Sequence, residues 1–452
     1  MRKARKPWIW AGIGLTVMLG LSACAPGSQS TAKTASTPVS TDVAQAGKVT
    51  LTVWDEETNS VKSTLVNQLN AEFEKKYPNV TISRVSRSFN DLKTTLKLAL
   101  SGANPPDVVE VNQGYPDMGA YVQAGLLSSL NNYEKLYGWN KRFPAALLDI
   151  NSFTPNGKTW NTGDLFGLST RGEAVGVFYN KSILDKYGIT PPTTYPEFIA
   201  TLPKLKAAGV LPISYGDSDL TMGIHLYGVV QAALAGAKKV DDLVYGKGGA
   251  WTDPDNIQAA RVVQQWAQDG YITPGANGIS EAEATANFGN GQSAYEIDGP
   301  WEGGTLAQTM GSNVGFNALK PTANSSGPVT QGGISEAWSI TSKSKHPNVA
   351  AAYINFLTSN HAMVEEAKVS LLPVITPTGY TAPAGTLETD LADAYNQTIA
   401  NNGLVPYLDY STPTFYDTIT AAIQKLTAAQ TTPEQFTQTL QADYSAFLQS
   451  RK

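Results

Sequence analysis

An α/β fold divided into two lobes is the architecture this sequence predicts. Short apolar strands alternate with amphipathic helices from residue 48, and the same alternation starts afresh after Gly176. The 452 residues also exceed the roughly 250–300 at which a single hydrophobic core stops growing. With 42% hydrophobic and 16% charged residues the chain has the balance of a globular protein, which excludes disordered and fibrous classes.

The elements follow in order. Residues 49–54 read as the first strand, and Val61, Leu65, Leu69 and Phe73 recur every four residues as one helix face that stops before Pro78. A strand is expected at 80–85. Asp91 is the expected cap of the next helix, which lines up Leu92, Leu96 and Leu100 and ends at Gly102; a strand at 107–111 completes βαβαβ. That order predicts a parallel sheet covered by helices, whose ligands sit at the carboxyl ends of the strands, so the loops after Trp54 and Val111 attract attention. Beyond Gly176 come a strand to Tyr179, a short helix ending at Gly188, and Thr194-Tyr195-Pro196-Glu197 in capping-box form. Phe198, Leu202 and Leu205 line that helix, Gly209 closes it, and 211–215 is the next strand. Asp253-Pro254 opens a helix that Gly270 ends, and Thr432-Pro433-Glu434 opens the last, with Phe436, Leu440, Tyr444 and Leu448 on one face.

The amino end carries Arg2, Lys3, Arg5 and Lys6, an apolar stretch from Trp8 to Leu21, and then Leu21-Ser22-Ala23-Cys24. The stretch is short for a bilayer span and ends in small residues, so residues 1–23 read as a secretory signal rather than a permanent anchor. Cys24 is the single cysteine, which leaves no partner for an intramolecular disulfide. Residues 25–47 are rich in Ser, Thr, Ala and Pro and read, with Cys24, as a flexible linker, 24–47. Loss of the leader's four cations leaves 29 basic against 38 acidic residues, a formal charge of −9, which disfavours nucleic acid.

The run Leu21-Ser22-Ala23-Cys24 resembles a bacterial lipobox, which implies a lipid on Cys24 and attachment to the outer face of the cell membrane; the other reading is an ordinary signal with a fortuitous cysteine. Further motifs resemble, in order, the family 1 extracellular solute-binding proteins of ABC importers, the family of maltose-binding protein. They are Val53-Trp54-Asp55, Phe73-Glu74-Lys75-Lys76-Tyr77-Pro78, Pro106-Asp107-Val108-Val109, Ala124-Gly125-Leu126-Leu127, Glu173 through Tyr179-Asn180-Lys181, Gly289 through Tyr295, Gly299-Pro300-Trp301 and Gly332-Gly333. The resemblance implies a periplasmic-binding-protein-like type II fold, with two lobes joined by about three hinge crossings near 168–175, 321–331 and 371–377. Lobe one is then residues 48–170 plus 331–372, and lobe two 174–325 plus 377–450. It also implies a monomeric, non-enzymatic protein without a cofactor, whose partners are an oligosaccharide or other small sugar and the permease subunits of an importer.

A sugar offers apolar ring faces and a girdle of hydroxyls, so its site needs aromatic platforms with carboxylates or amides. Trp54, Asp55, Glu56 and Glu57 after the first strand, with Asn112, Gln113 and Tyr115 after the third, supply one wall. The resemblance places a sugar-binding glutamate at Glu173, with Arg171 on the same face of the chain, though the two would serve equally as a hinge ion pair. It places a stacking tryptophan at Trp301, flanked by Asp298 and Glu302. Asp217 and Asp219 either reach the ligand or solvate their loop. Gly332 and Gly333 would let backbone approach a ligand closely, with Glu336 and Trp338 beside them, although the family often has small or apolar residues here. Tyr407, Asp409 and Tyr410 form an aromatic and acidic cluster that ordinary packing explains as well.

Two other classes fit part of this pattern. A glycan-acting enzyme would want a catalytic carboxylate pair, and nothing singles one out. A cationic ligand such as a polyamine suits Asp and Glu beside Trp. Zinc is disfavoured because His225, His346 and His361 have no ligand-like spacing, and no loop has the regular oxygen spacing of a calcium site.

Overall fold

The computed structural model describes residues 38–451, so the leader, Cys24 and the linker up to residue 37 lie outside the described residues. The last part of the expected linker is docked rather than loose. Val43 is buried in the core, and the Asn79 amide donates to the carbonyls of Val43 (2.9 Å) and Gly47 (2.8 Å). One apolar side chain in an otherwise polar stretch suffices to seat it.

Strands β1 (Val49–Asp55), β2 (Val80–Ser86) and β3 (Val108–Val111) are joined by helices α1 (Ser60–Lys76) and α2 (Phe89–Ser101), and β1 pairs in parallel with both β2 and β3. Val61, Leu65, Leu69 and Phe73 of α1 are all buried, as their spacing predicts. The cap of α2 is Ser88, whose hydroxyl accepts from the Asp91 amide; Asp91 lies in the first turn, where its charge faces the positive end of the helix.

The chain continues through β4 (Gly167–Leu168), β5 (Gly172–Ala174) and β6 (Gly176–Asn180) to α3 (Tyr195–Ala207), where Thr194 and Glu197 form a capping box. Then come β7 (Leu211–Ser214), α4 (Met222–Ala235), α5 (Pro254–Gln268), α6 (Glu281–Gly289), β8 (Ser293–Asp298) and β9 (Val314–Asn317). The remaining elements that matter for the site are β10 (Thr330–Ile334), β11 (Ala337–Ile340), α7 (Asn360–Lys368), β12 (Leu404–Val405), α8 (Phe415–Thr427) and α9 (Pro433–Ser450).

A five-stranded sheet has the order β2-β1-β3-β11-β4, and a four-stranded sheet the order β9-β6-β8-β7. The chain therefore has a two-lobed α/β fold, each sheet covered by its own helices. Both sheets are mixed where the sequence pattern predicted parallel ones: β11 runs antiparallel to β3 and β4, and β6 antiparallel to β8 and β9. These strands enter from passages between the sheets instead of through helical crossovers, and so arrive from the opposite end.

In those passages β5 and β10 pair antiparallel, with β12 alongside β10. Gly332 is required there, because a Cβ built on it would lie 2.2 Å from the Glu173 carbonyl oxygen. Among the described residues, no helix is long and apolar enough to cross a membrane.

Candidate functional site

A cavity of about 360 Å³ opens where the carboxyl ends of the strands in both sheets converge. One wall is built from the segment after β1, with Glu56 and Asn59, from Lys62 in the first turn of α1, from Phe89 and Asn90 at the start of α2, and from Asn112 after β3. Arg171 and Glu173 reach it from β5 and its approach, and Glu336 from the turn between β10 and β11. The facing wall holds Asp219 and Thr221 after β7, His225 on α4, Glu281 at the start of α6, and Trp301 with Glu302 after β8. Tyr407, Asp409, Tyr410 and Tyr416 close the side.

The Trp301 indole is held from two directions. Its Nε1–H donates to Glu281 Oε1 at 2.8 Å, and its ring lies 5.0 Å from that of His225. Glu281 is itself fixed by a hydroxyl donor from Thr221, and its backbone amide donates to Asp219. Trp301 is half-buried, so part of its ring remains open to the cavity.

An ion network underlies the first wall. Glu57, fully buried at 0% exposure, pairs with Arg171 and lies 3.4 Å from Lys62 Nζ, which also bonds Glu56 Oε1 at 3.0 Å. Arg171 lies 3.7 Å from Glu366 of α7. Burial alone would raise the Glu57 carboxyl, but Arg171 and Lys62 outweigh it and hold the group down at about 2. Oxygens of Glu56, Glu57 and Glu110 lie within 4.8 Å of one another, a spacing a metal could use, yet Lys62 and Arg171 already supply the countercharge.

The cavity carboxyls behave differently. Burial lifts Glu56 to about 8 despite Lys62, and lifts Glu173, Glu281, Glu302 and Glu336 each to about 7 and Asp409 to about 6. His225 is pushed down by burial and so favours the neutral imidazole.

Of the residues singled out from sequence, Asn112, Arg171, Glu173, Trp301, Glu302 and Glu336 meet at this cavity, together with Glu56, Asp219, Tyr407, Asp409 and Tyr410. Glu173 does not form the hinge ion pair with Arg171; its Oε2 accepts from the Tyr407 hydroxyl at 2.9 Å.

Other expected residues lie elsewhere. Trp54 points to the opposite face of β1, under the Arg87 guanidinium at 4.6 Å. Asp55 is consumed by Arg84, and Glu57 by the network. Gln113 donates to the Ser335 carbonyl at 2.7 Å, while Tyr115 packs between Phe153 and Phe447. Asp217 accepts from the Gly223 amide at the start of α4, and Asp298, fully buried, lies 3.5 Å from His225 Nδ1. Trp338 is core, edge-on to Tyr353. Gly332 and Gly333 both line a separate hollow of about 60 Å³ bounded by Tyr407 and Tyr410, and Gly332 also serves the β5–β10 pairing.

Sequence reasoning missed Lys62, Asn90, His225, Glu281 and Tyr416. Lys62 carried a signal: it sits in line with Val66, Leu69 and Phe73, a charge on an apolar stripe that must find a buried partner.

A family model for bacterial extracellular solute-binding proteins matches residues 56–364. An uncharacterized ABC transporter extracellular-binding protein of Pyrococcus horikoshii is 25% identical over 356 residues, 76% of this chain and 74% of that one. A multiple sugar-binding protein of Streptococcus mutans is 22% identical over 308 residues, 67% of this chain and 70% of that one. The solved structure of a chitin oligosaccharide binding protein superposes with a TM-score of 0.75 at 24% identity, covering 88% of this chain and 99% of that one.

Proposed function

From the premise that the chain belongs to the bacterial extracellular solute-binding protein family, we propose that it captures a sugar, in particular a short oligosaccharide, and delivers it to the permease of an ABC importer. The observation that carries this reading is Trp301: an indole anchored through its N–H, with ring surface open to a cavity whose walls bear carboxylates and amides. An aromatic face takes the apolar side of a pyranose, and paired oxygens take its hydroxyls. The names of the Streptococcus mutans relative and of the chitin oligosaccharide binding protein support the same class of ligand.

The family is one of binding receptors, and the chain acts outside the cytoplasm as a receptor rather than an enzyme. In our reading Cys24 carries a lipid that tethers it to the membrane surface. Lobe one comprises residues 48–170 and 331–372, and lobe two 174–325 and 377–450; the passages through β5 and β10 act as the hinge. Ligand contacts from both walls are what would favour closure, since a ligand shifts a two-state equilibrium only by its differential affinity for the two states. The closed form then presents a matched surface to the permease.

The test is thermal unfolding of the purified chain across a panel of mono- and oligosaccharides. A ligand that binds only the folded state must raise the midpoint. A rise with one glycan class supports the reading and names the substrate, and a panel without any rise refutes it.

A further inference from the structure

We propose that the sugar captured here carries a protonated amine, so that the cavity selects an amino sugar over its neutral counterparts. The inference rests on the sugar reading above and adds the charge of the ligand. It comes from the pairing of ionic groups around the cavity. Both permanent cations in the walls are already engaged: Lys62 by Glu56 and Glu57, Arg171 by Glu57 and Glu366. Six cavity carboxyls, those of Glu173, Asp219, Glu281, Glu302, Glu336 and Asp409, have no lysine or arginine within 4.0 Å among the described residues.

They also occupy both walls, so closure around a neutral ligand would either enclose their mutual repulsion or require some of them to take up protons. Hydroxyls can donate to carboxylates, but they bring no charge. An ammonium does both, with three donors and a full positive charge. The aromatic residues beside these carboxylates suit the same group, because Trp301, Tyr407 and Tyr410 offer ring faces to a cation as readily as to a pyranose. His225 does not compete for this role, since burial keeps it neutral.

The experiment is calorimetry on the purified chain with matched ligands: glucosamine and its β-1,4-linked disaccharide, their N-acetyl forms, glucose with cellobiose, and spermidine as a cation without a sugar ring. The expected result is that the free amine binds at least about tenfold tighter than either counterpart, the scale of one hydrogen bond to a charged group. Its Kd should also weaken with added salt while that of any neutral sugar stays level. Glu336→Gln and Glu302→Gln should each reduce the ratio of amine to N-acetyl affinity.

Equal or tighter binding of the neutral sugars overturns the amine inference and leaves the sugar reading standing. A heat with spermidine but with none of the glycans overturns the sugar reading together with the amino sugar. A ratio unmoved by both glutamine variants overturns the assignment of these carboxylates.

Discussion

Replacing Trp301 by alanine removes a ring that touches the cavity on one side and His225 on the other, and it does so without opening the core. The indole is half-buried, and among the described residues the one bond from the opposite wall to this residue, from Asn59 Nδ2 at 3.5 Å, ends on its backbone carbonyl, which any side chain retains. An aromatic anchor of this kind costs at least about 2 kcal/mol when truncated, or about thirtyfold in Kd. Trp301→Phe separates the two parts of the role. It keeps a ring face but loses the N–H bond of 2.8 Å to Glu281, whose partner Thr221 still donates to the other oxygen. That loss is worth about 1 kcal/mol, or about fivefold. Calorimetry with the glycan that raises the unfolding midpoint should therefore rank wild type, Phe and Ala in that order, with native melting in all three. An unchanged Kd for Trp301→Ala would refute the platform, and a Phe variant weaker than Ala would refute the division between face and anchor.

Arg171→Met should destabilise the fold by about 3–5 kcal/mol in urea unfolding, because it leaves Glu57 buried at 0% exposure with Lys62 alone for compensation. Gly332→Ala should cost at least about 2 kcal/mol, read as a lowered melting midpoint, since its Cβ would press on the Glu173 backbone at 2.2 Å. The ligand-free protein should lose stability as pH rises from 4.5 towards 7. Glu173, Glu281, Glu302 and Glu336 have folded values near 7 against an ordinary 4.5, so the folded chain holds these protons more tightly, and their contribution is present at low pH and lost through that window. Melting scans at pH 5 and pH 8 check the sign; Glu57 acts oppositely but only in the window between about 2 and 4.5. Tyr416→Phe removes a bond of 2.8 Å from α8 to Asn90 on α2, and should weaken ligand affinity by about two- to tenfold, mainly through faster release in surface plasmon resonance.

How far the sequence could be read depended on the range of the interactions involved. The buried face of α1, the capping box at Thr194 and Glu197, and the last helix with Phe436, Leu440 and Tyr444 inward are set by neighbours three or four residues away, and each was legible. The pairing of Ser88 with the Asp91 amide was misread by three residues because either side chain can cap. Trp301 stood out because Gly299-Pro300 marks a turn before it, although the structure seats it in a 3-10 turn, Pro300–Glu302, that runs on into a helix at Gly303–Met310. Tyr416 could not stand out: it reads as one aromatic on a helix, and only the fold brings it to Asn90, 326 residues away in sequence. Strand alternation explains only part of the choice among Trp54 to Glu57. Val49, Leu51, Val53 and Asp55 take the inner face of β1 and Trp54 the other, whereas Glu56 and Glu57 lie beyond the end of the strand, where the turn into α1 brings Glu56 to the cavity and Glu57 to Arg171.

The network beneath the first wall gives that wall two tasks at once. Arg171 stands at the entry to β5, one of the strands that pass between the sheets, and through Glu57 and Glu366 it ties the end of β1 to α7. Lys62 joins the same Glu57 to Glu56, which faces the cavity. A charge placed near Glu56 therefore acts on the pairs that position the passage, and substitutions within the network change the cavity and the geometry between the sheets together. Trp301 and Glu281 are held within the other wall, by Thr221 and His225, and among the described residues share no ion pair with the network. Affinity can be varied there with the passage left intact, which is why the two walls should respond differently: variants of Trp301 alter Kd at constant stability, whereas variants of Arg171 or Glu57 alter both.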